Sequence, residues 1–194
     1  MAVIAVAFVV SQFRQREGAT RGLPILFTVS DFTLTNQNNQ AVSLADLHGQ
    51  LWVADIIFTR CAGPCPEMTR RMGELQAALP AGSPVKLVTL TTDPESDTPE
   101  VLKSYARRFG AEPGRWLFLT GAKAQVVRLA VDGLKLAVQE KKPEERESEA
   151  DLFIHSTLFV LVDRQGRARA VFESSEPDTQ SRLMEAIRIL LREK

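Results

Sequence analysis

The 194-residue chain is 44% hydrophobic and 25% charged, the composition of an ordinary globular domain and a length that suits one sizeable core rather than two domains. Its 24 basic and 24 acidic side chains cancel, which argues against nucleic acid or any other polyanion as a partner. With two cysteines and two histidines it is neither a disulfide-stapled scaffold nor a multi-metal cluster protein, so its chemistry is confined to one small site.

Ala2 to Val10 are nine apolar residues, followed by Arg14 and Arg16. As a helix they reach about 14 Å, roughly half the hydrocarbon core of a bilayer, which needs about 20 residues. Residues 1–10 are expected to be the remnant of a membrane anchor or signal whose start lies upstream; a buried first strand is the competing reading. Residues 11–26, with Gly18, Gly22 and Pro24, read as a linker into a domain over 27–194.

Phe27 to Val29 and Phe32 to Thr35 are short strand candidates, and the turn Asn36 to Asn39 leads into Ala41 to Leu44, an N-terminal hairpin at the edge of the domain. Leu51 to Phe58 is mostly apolar and of strand length, as in a central strand buried on both faces. Pro66 suits a first helical turn, and Met68, Met72, Leu75 and Leu79 recur at helical spacing, predicting a helix from Pro66 to about Leu79.

Val85 to Thr92 is the next strand, and Thr98, Pro99 and Glu100 are a helix-start signature. Val101, Leu102, Tyr105, Ala106 and Phe109 then line one face, up to Gly110. Trp116 to Thr120 is a strand and Ala122 to Asp132 a helix with Val126, Val127 and Leu129 inward. Nine of the twelve residues from Glu140 to Asp151 are charged, so that stretch is expected to be a solvated excursion with no core face. Thr157 to Val162, the turn Asp163 to Gly166, and Ala168 to Phe172 make a second hairpin, and a last helix from about Thr179 to Arg192 buries Leu183, Ile187, Leu190 and Leu191. Alternating strands and helices closed by a hairpin describe an α/β fold with a mixed central sheet flanked by helices, of thioredoxin-like pattern because a cysteine pair stands where the first central strand meets its helix.

That junction is Arg60-Cys61-Ala62-Gly63-Pro64-Cys65-Pro66. Cys65 is expected at the N-cap and Cys61 in the loop before it, so both sulfurs lie near the positive helix end, where thiolates are stabilised and reactive. Three intervening residues let both sulfurs face one metal ion and still permit a disulfide. His155 immediately precedes a core strand and can point over the rim, where a third ligand is wanted. His48, in Asp46 to Gln50, reads as an exposed loop residue, and Met68 and Met72 share the core face of Leu75 and Leu79. Two thiolates and one imidazole suit Cu(I), whereas zinc prefers four ligands and would need His48 as well. Asp93, at the end of its strand, is either an outer acceptor orienting the site or a cap of the turn begun by Pro94.

Several segments together carry a resemblance: Cys61 to Thr69, Thr92-Asp93-Pro94-Glu95, Thr98 to Leu102, Gly114-Arg115-Trp116, Leu119-Thr120-Gly121 and His155-Ser156-Thr157. In this order they resemble the SCO/SenC family of copper-binding assembly factors for cytochrome c oxidase, over about Phe27 to Phe172. The resemblance implies a thioredoxin-like fold, a membrane anchor with the domain on the periplasmic side of a bacterial inner membrane, and copper held by Cys61, Cys65 and His155. It further implies a copper chaperone that serves the dinuclear copper site of cytochrome c oxidase subunit II. The alternative is a thiol-disulfide oxidoreductase acting through Cys61 and Cys65 on that subunit. Thioredoxins place a proline before the strand facing the dithiol, and Phe153 to Ser156 contains none, so the histidine favours metal. A peroxiredoxin-like peroxidase ranks last, because Thr59 stands two residues before Cys61 where three are expected. In an oxidising compartment the dithiol drifts toward the disulfide, which calls for a thioredoxin-like reductant as a second partner.

Overall fold

Trp52–Ile57 is buried at every position because it is a strand covered on both faces, and the rest of the molecule is arranged around it. The computed structural model describes residues 22–146 and 152–193. The expected anchor remnant at 1–10, residues 11–21 of the expected linker and residues 147–151 of the charged excursion lie outside the described residues.

In chain order the elements begin with β1 (Phe27–Thr28), β2 (Thr33–Asn36), β3 (Ala41–Ser43), α1 (Leu44–Leu47), β4 (Trp52–Ile57), α2 (Cys65–Ala78), β5 (Lys86–Thr91) and α3 (Pro99–Arg108). There follow β6 (Trp116–Thr120), α4 (Lys123–Arg128), β7 (Val138–Glu140), β8 (Phe153–His155), β9 (Leu158–Val162), β10 (Arg167–Glu173) and α5 (Thr179–Arg192). Eight strands form one sheet in the order β1-β10-β9-β4-β5-β6-β2-β3. Helical crossovers make β4, β5 and β6 parallel, while the β2–β3 and β9–β10 hairpins and the pairs β1–β10, β4–β9 and β2–β6 are antiparallel, so the sheet is mixed as expected and the β2–β3 hairpin is at its edge.

The alternation of side chains along β4 divides the core in two. Val53 and Ile57 join Met68, Met72, Leu75, Leu102, Tyr105, Leu183 and Ile187 from α2, α3 and α5. Trp52, Ala54 and Ile56 join Leu44, Leu47, Val126 and Leu129 on the other face. Each fully buried Leu or Met contributes about 1.5–3 kcal/mol, so Met68 and Met72 are committed to the core, as their spacing with Leu75 and Leu79 implied.

Two local readings of the sequence are corrected, and a third gains flanking strands. The helix expected over Ala122 to Asp132 ends as α4 at Arg128 and widens into a π turn, Leu129–Gly133, with Leu134 N donating to Leu129 O at 2.8 Å. The wider turn seats Leu129, Ala130 and Leu134 against the sheet together. Val101, expected inward, is exposed, because the buried stripe of α3 is Leu102, Tyr105 and Ala106. The excursion from Glu140 connects two paired strands: β7 and β8 form a separate two-stranded sheet in which Val138 opposes His155. Among the described residues no helix is long and apolar enough to cross a membrane.

Candidate metal centre

β4 delivers the chain to the carboxyl ends of the parallel strands, the edge at which crevices open in α/β sheets. Past its end the chain turns, with Cys61 N donating to Phe58 O at 3.2 Å, and re-enters regular structure at Cys65, the first residue of α2. Pro64 holds the N-cap position expected for Cys65, and Pro66 and Glu67 fill the first turn, where a missing N–H costs nothing and a carboxylate meets the positive helix end. Cys65 is thereby fully buried, while Cys61 is half-buried.

His155 closes the site from the end of β8. Its Nε2 lies 3.1 Å from Cys65 Sγ and its Nδ1 lies 3.0 Å from Ser156 O. A carbonyl oxygen can only accept, so Nδ1 carries the proton and Nε2 turns a lone pair toward the sulfurs, the tautomer a metal ligand needs. The ring is held edge-on to Phe58, with centroids 5.9 Å apart and planes at 89°, and Phe58 also packs edge-on against Phe153 at 5.3 Å. The ligand atoms of Cys61, Cys65 and His155 all lie within 4.8 Å of one another. Bonds of about 2.0–2.3 Å to sulfur and nitrogen put three trigonal donors roughly 3.5–4 Å apart, so the group can close on one ion with small side-chain shifts. Soft thiolates plus a neutral imidazole suit Cu(I).

The two thiols are unequal. A hydrogen bond from Cys65, with burial opposing, and another from Gly63 N bring Cys61 down to about 4. Cys65 is pushed up, because it is the partner that keeps the proton and because it is buried. One thiolate therefore stands ready at the half-exposed position.

The other residues singled out in the sequence fall elsewhere. His48 is exposed after α1, beside Gly166 and at the opposite end of β4 from the cysteines. Asp93 bonds Arg60 Nη2 at 2.6 Å, so its carboxylate acts on the residue before Cys61 and not on the imidazole. Sequence reasoning gave Thr59 and Arg60 no part in supporting the site and did not single out Asp97. Asp97 is buried and accepts from Thr59 N at 3.1 Å and from the hydroxyls of Thr59 and Thr91, both at 2.5 Å. An Asp just before a helix start reads as turn chemistry, and the Thr59 contact spans 38 residues, so no local signal marks it.

A family model described as SCO1/SenC matches residues 25–192. A SCO1 protein homolog of Bacillus subtilis (strain 168) is 38% identical over 146 residues, 74% of this chain and 72% of that protein. The crystal structure of a SCO1/SenC family lipoprotein from Bacillus anthracis superposes with a TM-score of 0.78 at 27% identity, covering 89% of this chain and all 100% of that one. The structure of BsSco, a member of the Sco family of cytochrome c oxidase assembly proteins in which a disulfide switch has been identified, gives a TM-score of 0.76 at 30% identity over 90% of this chain and 100% of its own.

Proposed function

This chain belongs to the SCO1/SenC family, and on that premise we propose that it binds one copper ion through Cys61, Cys65 and His155 and delivers it to the dinuclear copper site of cytochrome c oxidase subunit II. The observation that carries the reading is the approach of His155 Nε2 to Cys65 Sγ at 3.1 Å, with Cys61 in the same cluster. The imidazole is the feature that a dithiol enzyme does not need and a soft metal site does. The test is metal analysis of the reduced protein beside His155→Ala. One copper per chain, lost or weakened in the variant, supports the reading, and unchanged stoichiometry and affinity refute it.

The same two sulfurs can close a disulfide, which consumes both thiolate donors, so oxidised protein is expected to hold no Cu(I) tightly. A low-lying Cys61 thiolate beside a protonated Cys65 is also what attacks and resolves a mixed disulfide, and this favours thiol-disulfide exchange with subunit II as the second reading. In either role a thioredoxin-like reductant is the partner that restores the dithiol.

The apolar run Ala2 to Val10 supports attachment to a membrane, with residues 11–26 as the tether and 27–194 as the domain held outside the cytoplasm. The lipoprotein nature of the Bacillus anthracis relative agrees with that placement.

A further inference from the structure

Two ligand side chains of the centre are fixed by regular structure, Cys65 by α2 and His155 by β8, whereas Cys61 stands in a turn. What holds that turn comes from the loop between β5 and α3. Inside, the Asp97 carboxylate takes the backbone N–H of Thr59 on Oδ2 at 3.1 Å and the Thr59 hydroxyl on Oδ1 at 2.5 Å. Two bonds to one residue fix its rotation as well as its position. The carboxylate is anchored in turn by the Thr91 hydroxyl on Oδ2 at 2.5 Å, and Thr91 is the last residue of β5. Outside, the Arg60 guanidinium meets Asp93 Oδ2 at 2.6 Å and Ser96 Oγ at 2.8 Å. The loop thus grips the two residues before Cys61 from both sides.

The inner grip is the stronger. Asp97 has no exposure to solvent, so its hydrogen bonds form where the local dielectric is low and losing any of them leaves a buried group unpaired. Arg60 is more than half exposed, and its pair with Asp93 is screened.

We infer that Asp97 is a positioning residue for the metal centre: through Thr59 it sets where the Cys61 sulfur stands relative to Cys65 and His155. The inference rests on the copper reading above. Asp97 touches neither sulfur nor imidazole, and it acts only through the two-residue connection from Thr59 to Cys61. Outer partners that orient ligands are worth about 10–100-fold in metal affinity, and the Asp97 latch belongs in that range.

The test uses the reduced full chain, wild type beside Asp97→Ala, Asp97→Asn and Thr59→Val, titrated with Cu(I) against a coloured competing chelator. Thermal unfolding is measured on each variant. The thiolate-to-copper absorption band of the Cu(II) form and the midpoint of the Cys61–Cys65 disulfide in thiol redox buffers are recorded alongside. Asp97→Ala is expected to stay folded, to bind copper about 10–100-fold more weakly and to shift both the band and the midpoint. Thr59→Val, which keeps the backbone N–H bond, should move all three in the same direction by less, and Asp97→Asn, which keeps one acceptor, should fall between.

A folded Asp97→Ala with wild-type affinity, band and midpoint overturns the inference, because a purely structural carboxylate would alter only the unfolding temperature. If Asp97→Ala does not fold, Thr59→Val decides by the same criteria. If the wild type binds no copper, it is the copper reading that fails; the disulfide midpoint then judges the latch alone, a shifted midpoint upholding it and an unchanged one overturning it.

Discussion

The cysteine loop and the histidine hairpin meet at one site but are built to different standards. The loop grows from β4, a strand paired on both sides within an eight-stranded sheet, and it is gripped by Asp97 and by Arg60 before it enters α2. The hairpin is two three-residue strands closed on themselves, with Ala137 N donating to Ser156 Oγ at 2.7 Å and Ser156 N to Ala137 O at 3.0 Å. Its ties to the body include the Phe153–Phe58 ring contact and an exposed Lys123–Glu140 pair at 2.8 Å. A two-stranded hairpin is marginal in isolation, so His155 stands where it does because Phe58, just past β4, gives the hairpin something to pack on. The dithiol is therefore placed by the core of the fold, and the third donor is brought to it by an appendage.

The largest expected effect lies on the cysteine side. Cys65→Ser should weaken Cu(I) binding by more than about 100-fold, beyond the range of any outer partner, in a competition titration; binding within tenfold of wild type would mean that the loop does not supply the fixed donors.

His155→Ala should weaken binding by about 10–100-fold while the Cys61–Cys65 disulfide still forms. Its unfolding free energy should stay within about 0.5 kcal/mol of wild type, because the ring is only partly buried and the hairpin is not part of the main sheet. A large loss of stability would erase the distinction between scaffold and appendage.

Asp55 sharpens the comparison from inside β4. Its carboxyl is fully buried with neither oxygen hydrogen-bonded, and burial pushes it from 3.8 up to about 7. Between those two values the folded chain keeps a proton that the unfolded chain has released, so this contribution to stability is full below the unfolded value and is lost as pH rises toward and through about 7. In metal-free protein Asp55→Asn should therefore gain about 2 kcal/mol on wild type between pH ~5 and pH ~8, read from urea unfolding at each pH. Parallel pH profiles for the two proteins would show that the carboxyl is not held protonated.

The smallest effect belongs to the hairpin's own support. Phe153→Ala should cost about 1 kcal/mol, the worth of an aromatic pair, and should speed amide exchange in β7 and β8 while leaving β4 protected. Equal acceleration in β4 would tie the two regions into one cooperative unit.

Much of the cysteine side is legible in the residues themselves. An apolar run of strand length, a Cys-x-x-x-Cys-Pro junction and a Met68-Met72-Leu75-Leu79 stripe are local patterns, and they define β4, the turn and α2 with shifts of one residue. The histidine side is not. His155 does precede a core strand, but what holds it is a separate three-residue strand that it ends and whose partner, Val138, comes before the charged stretch. Three-residue strands carry too few alternations to stand out, and the charges of the connection mask the pairing across it.

The sequence alone determined most of the buried faces and marked the cysteine pair as the candidate site, because helical and strand periodicities record burial within a few residues and a cysteine pair at a helix start declares itself. Only the tertiary structure decided that His155 Nε2 comes within 3.1 Å of a sulfur 90 residues away and that Asp97 holds Thr59 from 38 residues away. Contacts of that separation depend on how the completed sheet docks its loops and hairpin, and chain periodicity carries no record of that docking.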